Sequence, residues 1–126
     1  IPNLGGGYGT AGEDHAAKVR DGLSNTYLFA EKYVPMADYG TGLNPGDDQC
    51  AFTGDSSDTL RGGQRVPESD GTSWQDVLEG VFGGPHAGAF YAAMCDGSVR
   101  PIGFDIDAAT HFLLSACGDR QVVQLP

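Results

Sequence analysis

His86 and Asp96 are the two residues whose types and spacing most suggest chemistry in this chain of 126 residues. A histidine with a carboxylate can hold a metal ion or form an acid–base pair. Gly97 follows Asp96 directly. Residues 87–95 are predicted to form a strand, which would separate the two side chains by roughly 30 Å at about 3.3 Å per residue. We therefore expect structural roles, with His86 entering the strand and Asp96-Gly97 forming the turn that leaves it. A bent or helical segment between them would reverse this expectation.

Two groups of aspartates have the oxygen-rich character of a calcium site. Calcium prefers several carboxylate and loop carbonyl oxygens. The groups are Asp47, Asp48, Asp55 and Asp58 in one glycine-containing loop, and the pair Asp105 and Asp107. Neither group has EF-hand spacing. A solvated acidic loop is the alternative explanation, and the sequence leaves both open.

Motifs of familiar enzyme classes are absent from the sequence. It contains no G-x-S-x-G elbow, no H-E-x-x-H pair and no P-loop. Ser73 lacks the flanking residues of a nucleophile, and His111 is expected to pack or to face solvent. We therefore predict that the protein is not an enzyme.

The net charge limits the partners that the protein can have. It is −10, from 17 acidic and 7 basic residues. Such a surface repels phosphate backbones and anionic lipids. No apolar run approaches the roughly 20 residues that cross a bilayer. We expect no nucleic-acid partner and no membrane insertion by this segment.

The segments that must position these residues form one predicted domain, residues 1–126, of α+β class. Residues 1–14 are glycine-rich and predict a lead-in loop. An alternating apolar run predicts a strand over residues 26–34, which Pro35 ends. Residues 38–79 lose all periodicity and predict a long acidic loop region. Residues 84–126 predict a hairpin followed by a helix.

The side-chain pattern of the first strand assigns its faces. Tyr27, Phe29 and Tyr33 would share one face, because side chains alternate along a strand. Two later runs, 89–95 and 98–104, flank Asp96-Gly97, which predicts an antiparallel hairpin with a type I′ turn.

A short C-terminal helix follows the hairpin in the prediction. Asp107 is the expected N-cap of a helix over residues 108–117, and Gly118 ends it. Residues 121–125 would form a closing strand. The helix should pack through one apolar stripe, formed by Ala109, Phe112, Leu113 and Ala116.

Three stretches of the sequence resemble one bacterial family. The residues His86 through Asp96-Gly97 are similar to the H-X9-DG signature of secreted prepilin-like proteins, the type IV pilins and pseudopilins. The stretch from Val19 to Glu31 resembles that family's Asp-Gly-Thr-Ser-Asn-Thr element, which enters an apolar strand ending in Glu. The tail from Ile102 to Val123 is similar to its C-terminal pattern, and together the stretches cover about half of the chain.

The resemblance implies a pilin-like fold and a function outside the cell. It implies the globular head of an extracellular pilus-like or pseudopilin-like filament or surface assembly, with copies of itself, and a second chain carrying the N-terminal helix, as partners. The family's long apolar helix is not in this sequence, which starts at Ile1-Pro2. Either the chain is processed or truncated, or the helix lies elsewhere. Some pseudopilins order a loop near the C-terminus with calcium, so the resemblance adds some support for calcium as a cofactor, beside the alternative of a solvated acidic loop.

The three cysteines leave one unpaired if a disulfide forms. In an exported protein we expect a bridge between Cys50 and Cys95, with Cys117 buried in the helix. Three unpaired cysteines that pack as small hydrophobic residues are the alternative.

A second function class is an extracellular module that binds polysaccharide or another surface ligand. Exposed aromatic rings stack on sugars, although core packing also explains them. The aromatic residues in question are Tyr27, Tyr33, Tyr39, Trp74 and Tyr91.

Overall fold

The computed structural model describes residues 19–50, 52–54, 56, 58–73, 80–117 and 123. These residues include five strands and one α-helix: β1 (Tyr27–Ala30), β2 (Glu68–Ser69), β3 (Gly83–Gly84), β4 (Ala89–Met94), β5 (Val99–Gly103) and α1 (Ala108–Ser115). The predicted α+β class, with an antiparallel sheet, a short C-terminal helix and long acidic loops, is confirmed. The predicted lead-in at 1–14, Trp74 and all of the predicted closing strand except residue 123 lie outside the described residues.

The main sheet has three antiparallel strands in the order β1-β4-β5. Tyr27 of β1 lies opposite Met94 of β4, and Phe90 of β4 lies opposite Ile102 of β5. The short strands β2 and β3 pair in parallel beside it. The central strand β4 is therefore the element against which the others are aligned.

The two faces of this sheet have different surroundings. Residues directly opposite each other on antiparallel strands point to the same side. The inner side packs in one core cluster with Phe82 and with Leu114 of α1; its buried sheet residues are Phe90, Ala92, Met94 and Ile102. The other side, which we call the outer face, carries Phe29, Tyr91, Ala93, Val99 and Pro101. On the outer face, Phe29 is 73% exposed and Val99 is 65% exposed.

The strand β1 is shorter than predicted. The pairing with β4 shifts register between Tyr27 and Phe29. Beyond β1, the backbone of Lys32 forms an isolated antiparallel β-bridge with Phe82. The prediction that Tyr27, Phe29 and Tyr33 share a face was wrong, because the irregularity turns Tyr27 towards the core cluster and leaves Phe29 on the outer face.

The predicted hairpin is present, but its turn differs from the predicted type I′. Gly97 donates its N–H to the carbonyl of Met94 at 2.9 Å, which makes Cys95 and Asp96 the central residues of the turn. Met94 N–H in turn donates to Ser98 at 2.8 Å. Gly97 has a φ of 86°, so the loop is a three-residue connection closed by a left-handed glycine.

The helix α1 begins at the predicted cap. The carboxylate of Asp107 accepts hydrogen bonds from the backbone N–H of Thr110 at 2.9 Å and from its hydroxyl at 3.2 Å. The predicted apolar stripe was wrong, because the buried residues of the helix are His111 and Leu114, while Ala109 is exposed. Among the described residues, no helix has the length and apolar character needed to cross a bilayer.

Candidate functional site

Glu31 and His86 meet at the start of β4. Oε1 of Glu31 lies 3.1 Å from Nε2 of His86, and Oε2 accepts the backbone N–H of Tyr91 at 2.8 Å. The ring of Tyr91 stands edge-on to the imidazole, with the ring centres 5.0 Å apart. We call Glu31, His86 and Tyr91 the motif junction, because it joins the two sequence motifs singled out above.

The geometry of the motif junction explains why a carboxylate stands at position 31. Glu31 N–H donates to the carbonyl of Tyr91 at 3.0 Å, and the Glu31 carbonyl accepts from Gly83 at 3.1 Å. The chain that follows β1 therefore stops pairing with β4 at Glu31. The Glu31 side chain supplies the acceptor that the Tyr91 N–H would otherwise lack. A Cβ added to Gly84 would lie 2.8 Å from Oε2 of Glu31, so the glycine gives the carboxylate its space.

The same two motifs also meet at the far end of β4. Cys95 N–H donates to Thr26 at 2.9 Å, and Asp96 N–H donates to Leu23 at 3.0 Å. Asp96 itself accepts hydrogen bonds from the N–H of Ser98 at 2.8 Å and from its hydroxyl at 2.6 Å. The Ser98 bonds hold the pKa of Asp96 below its usual value. His86 and Asp96 thus belong to opposite ends of the strand and have different partners.

The structure places the predicted calcium residues in separate contacts. Asp47 forms an ion pair of 2.6 Å with Lys32, and Asp58 accepts the N–H of Asp48 at 3.1 Å. Asp55 lies outside the described residues. Asp107 caps α1, and Asp105 is exposed. Within the described part of the chain, no group of three or more His, Cys, Asp or Glu residues is arranged to hold a metal. Calcium binding stays a prediction.

The three cysteines are free thiols in the structure. Cys50 is exposed, with its sulfur 3.5 Å from the hydroxyl of Thr53. That contact lowers the pKa of Cys50. Cys95 is half-buried, and burial, followed by the neighbouring Cys117, raises its pKa. The predicted bridge between Cys50 and Cys95 is not formed. Cys117 is exposed two residues beyond α1 rather than buried within it.

A cleft of about 280 Å³ lies between β1 and the loop at residues 58–61. Its charged groups already bind the protein itself. Lys32 donates to the carbonyl of Gly46 at 2.9 Å, and Arg61 donates to the same carbonyl at 3.1 Å. Burial lowers the pKa of Arg61, while Asp58 opposes that shift. The cleft therefore has mixed polarity, and the described residues place no nucleophile next to a general base within it.

One family model matches the chain. It is described as a protein of unknown function, DUF1559 (SBP_bac_10), and it matches residues 3–109. The chain belongs to the DUF1559 family. The match covers both motifs that form the motif junction and ends inside α1. No curated protein and no solved structure matches the sequence.

This DUF1559 chain also buries His111, for which the sequence left packing and solvent exposure open. His111 is fully buried against the rings of Tyr27, Phe82 and Phe90. Its Nδ1 lies 3.3 Å from the Tyr27 hydroxyl, and its Nε2 is buried without a hydrogen-bond partner among the described residues. Burial lowers the pKa of His111 to about 4, so the ring is neutral at pH 7.

A buried carboxylate ties the acidic segment of the DUF1559 domain to the sheet region. Asp70 accepts the N–H of Val34 at 3.1 Å and the hydroxyl of Tyr39. The bond from Tyr39 to Asp70 raises the pKa of Tyr39 to about 12. Asp70 N–H donates to Gly84 at 3.0 Å, directly before the segment that carries His86. No periodic pattern surrounds Asp70, so sequence reasoning had no signal for its burial.

The aromatic residues considered for sugar stacking differ in how far they are buried. Tyr27 packs against the core cluster, and Tyr33 is buried. Tyr39 and Tyr91 are exposed, and Trp74 lies outside the described residues.

Proposed function

We propose that this DUF1559 chain is the globular head of an extracellular pilus-like or pseudopilin-like filament or surface assembly. The observation that carries the proposal is the outer face, an apolar surface on a sheet whose other side is already covered by α1. Phe29 and Val99 are mostly exposed there, and Tyr91 beside them is 43% exposed. Contiguous exposed apolar surface of this kind marks an interaction site in many soluble proteins.

Covering the outer face would contribute substantially to assembly. Burying an apolar side chain the size of Phe29 or Val99 stabilises by roughly 2 kcal/mol for each residue. The three residues in the row Phe29, Ala93 and Val99 lie directly opposite one another across all three strands. An elongated apolar element, such as a helix, can therefore contact all of the strands at once.

The resemblance to prepilin-like H-X9-DG proteins supports the same proposal. In that architecture an apolar N-terminal helix covers one side of the sheet, and copies of the subunit pack along the filament. The outer face is the side that such a helix would cover in this domain. The net charge of −10 suits a head that stays soluble around the contact.

The test is immunogold electron microscopy of the producing organism with an antibody against this chain. The native protein is compared with a double variant of the outer face, Phe29→Ser with Val99→Ser. The matched control is Leu43→Ser with Phe52→Ser, since these side chains are 81% and 96% exposed and neither residue belongs to a strand. Circular dichroism verifies that each variant is folded.

We expect gold label on extracellular filaments or surface structures for the native chain and for the control. The outer-face variant should be folded and absent from them. Label confined to the cell interior, or an outer-face variant that assembles as well as the native chain, would refute the proposal. Glycan binding that depends on Tyr91, with no assembly, would favour a sugar-binding module instead.

A further inference from the structure

The ammonium group of Lys32 contacts three oxygen atoms of the acidic segment. Its Nζ lies 2.6 Å from Oδ1 of Asp47, 2.9 Å from the carbonyl oxygen of Gly46 and 3.4 Å from that of Asp58. An ammonium group has three N–H donors, so the number of donors matches the number of acceptors. We call Lys32 and these oxygens the ammonium site.

The backbone around Lys32 fixes the point from which its side chain extends. Lys32 forms a β-bridge with Phe82, which belongs to the core cluster. The carbonyl of the preceding residue, Glu31, accepts the N–H of Gly83 at 3.1 Å. The Lys32 side chain is 31% exposed, so most of it is shielded from solvent. The ammonium is therefore attached to a paired part of the chain and can hold the segment that contacts it.

The acidic segment positions its oxygens through further contacts. Gly46 is buried, and its carbonyl also accepts from Arg61 at 3.1 Å. Oδ1 of Asp58 accepts the N–H of Asp48 at 3.1 Å, which joins two parts of the segment. Asp58 is only 8% exposed, and its Oδ2 has no hydrogen-bond partner among the described residues. A buried carboxylate of this kind needs a neighbouring cation, and Lys32 supplies a positive charge beside it.

Carboxylate and backbone carbonyl oxygens are also the ligands that calcium prefers. We propose that the ammonium site is a cation site in which Lys32 takes the place of a metal ion and holds the acidic segment against the sheet region. In the native chain, calcium is therefore excluded from Asp47 and Asp58, two of the calcium ligands suggested by the sequence. The inference does not depend on the proposed function.

The test compares the thermal unfolding of the native chain and of Lys32→Met, in EDTA and in calcium at equal ionic strength. Removing the ammonium should lower Tm in EDTA and leave the three oxygens open to calcium. A site with so few protein ligands should have a Kd for calcium on the order of 1 mM. Calcium at about 10 mM should then raise the Tm of Lys32→Met by about 4 °C. The Tm of the native chain should change little.

Controls separate the ammonium site from general effects of charge. Arg20→Met also removes one positive charge, at an exposed position, and should respond to calcium as the native chain does. Lys32→Met with Asp47→Asn removes a ligand and should lose most of the rise in Tm. Magnesium, which dehydrates reluctantly, should stabilise Lys32→Met less than calcium. Equal calcium-dependent shifts in the native chain, Lys32→Met and Arg20→Met, or a full rise in the double variant, would overturn the proposal.

A second measurement keeps Lys32 in place. Acetic anhydride acylates the Lys32 amine, and peptide mass spectrometry follows the rate. Asp47→Asn should speed this reaction about threefold, because the ammonium then loses a partly exposed ion pair. Asp105→Asn removes the same charge at an exposed position and should leave the rate unchanged. Equal Lys32 acylation rates in the two variants would overturn the proposal, including the case in which Lys32→Met does not fold.

Discussion

Glu31 and His86 are 55 positions apart in the chain and share a hydrogen bond of 3.1 Å at one end of the central strand. The second oxygen of the same carboxylate accepts the N–H of Tyr91 at 2.8 Å. One side chain thus ends the pairing of β1 with β4 and fixes the segment that carries His86. Substitutions at the motif junction therefore test how the two sequence motifs depend on each other for stability.

Replacing Glu31 by Gln should destabilise the protein by about 1 kcal/mol. The two carboxylate oxygens face His86 and Tyr91 separately, and Gln replaces one of them with an uncharged NH2 group that cannot accept a hydrogen bond. The partial exposure of the pair limits the loss. Urea unfolding at pH 7 measures the change. Asp105→Asn removes the same charge at an exposed position and should change stability little. Equal stabilities for the two variants would contradict the structural role of Glu31.

The buried His111 predicts a loss of stability in mild acid. Its folded-state pKa is about 4, below the ordinary 6.5, so the unfolded chain binds the proton first as pH falls. The stabilisation by neutral His111 is fully present above about pH 6.5 and is lost as pH falls. The loss levels off below about pH 4. The total should be roughly 3 kcal/mol in unfolding free energy.

The measurement is a series of urea unfolding curves between pH 7 and pH 4. His111→Gln should remove most of the slope in this range whatever its effect on absolute stability, because the variant has no imidazole at this position. His86→Gln is the control and should keep the slope, since His86 is exposed. A slope unchanged in His111→Gln would show that other groups cause the acid sensitivity.

Local sequence signals predicted the elements that local interactions determine. The hairpin follows from alternating residues around Asp96-Gly97, and the start of α1 follows from the side chain of Asp107. The contact of Glu31 with His86 could not be derived in this way, because it depends on the long-range pairing of β1 with β4. An ionisable residue in each motif was the available signal. The sequence left open whether His111 packs or faces solvent, because a stripe of apolar residue types does not count a neutral histidine as part of the packed face.

The turn after β4 makes a specific demand on Gly97. Its φ of 86° lies in the left-handed region, where a Cβ costs roughly 1 kcal/mol or more. Gly97→Ala should lower the free energy of unfolding by about that amount, and Gly97→Asn by less, because Asn tolerates this conformation. Gly71→Ala is the control: its Cβ would be 3.6 Å from Ser69, an ordinary contact. Equal effects at both glycines in thermal unfolding would rule out the strain argument.

Truncation of Asp70 should lower the stability of the protein, although Asp70 belongs to the acidic segment that the sequence predicts as loop. Asp70→Ala leaves the buried N–H of Val34 without its acceptor and should destabilise by about 2 kcal/mol. Asp70→Asn keeps an acceptor oxygen and should lose less. Urea unfolding compares the two variants, and a smaller loss for Ala than for Asn would contradict the prediction.

The hydrogen bond to Asp70 should also affect the titration of Tyr39. The pKa of Tyr39, about 12 in the native protein, should fall towards the ordinary 10 in Asp70→Ala, because the hydrogen bond to Asp70 is the largest cause of the shift. Ultraviolet absorbance follows the ionisation, and subtracting the Tyr39→Phe spectrum isolates this ring from the other tyrosines. An unchanged titration in Asp70→Ala would contradict the assignment.

Met36 N–H donates to the carbonyl of Asp70 at 2.9 Å, so the acidic segment leaves and rejoins the sheet region through a narrow neck. The entropy of closing such a segment grows slowly, by about 0.6 kcal/mol for each doubling of length. Leu43 is exposed within this segment, between Met36 and Asp70. A peptide tag or extra loop grafted beside Leu43 should therefore be tolerated, which makes this position a natural place to label the protein or to diversify its surface.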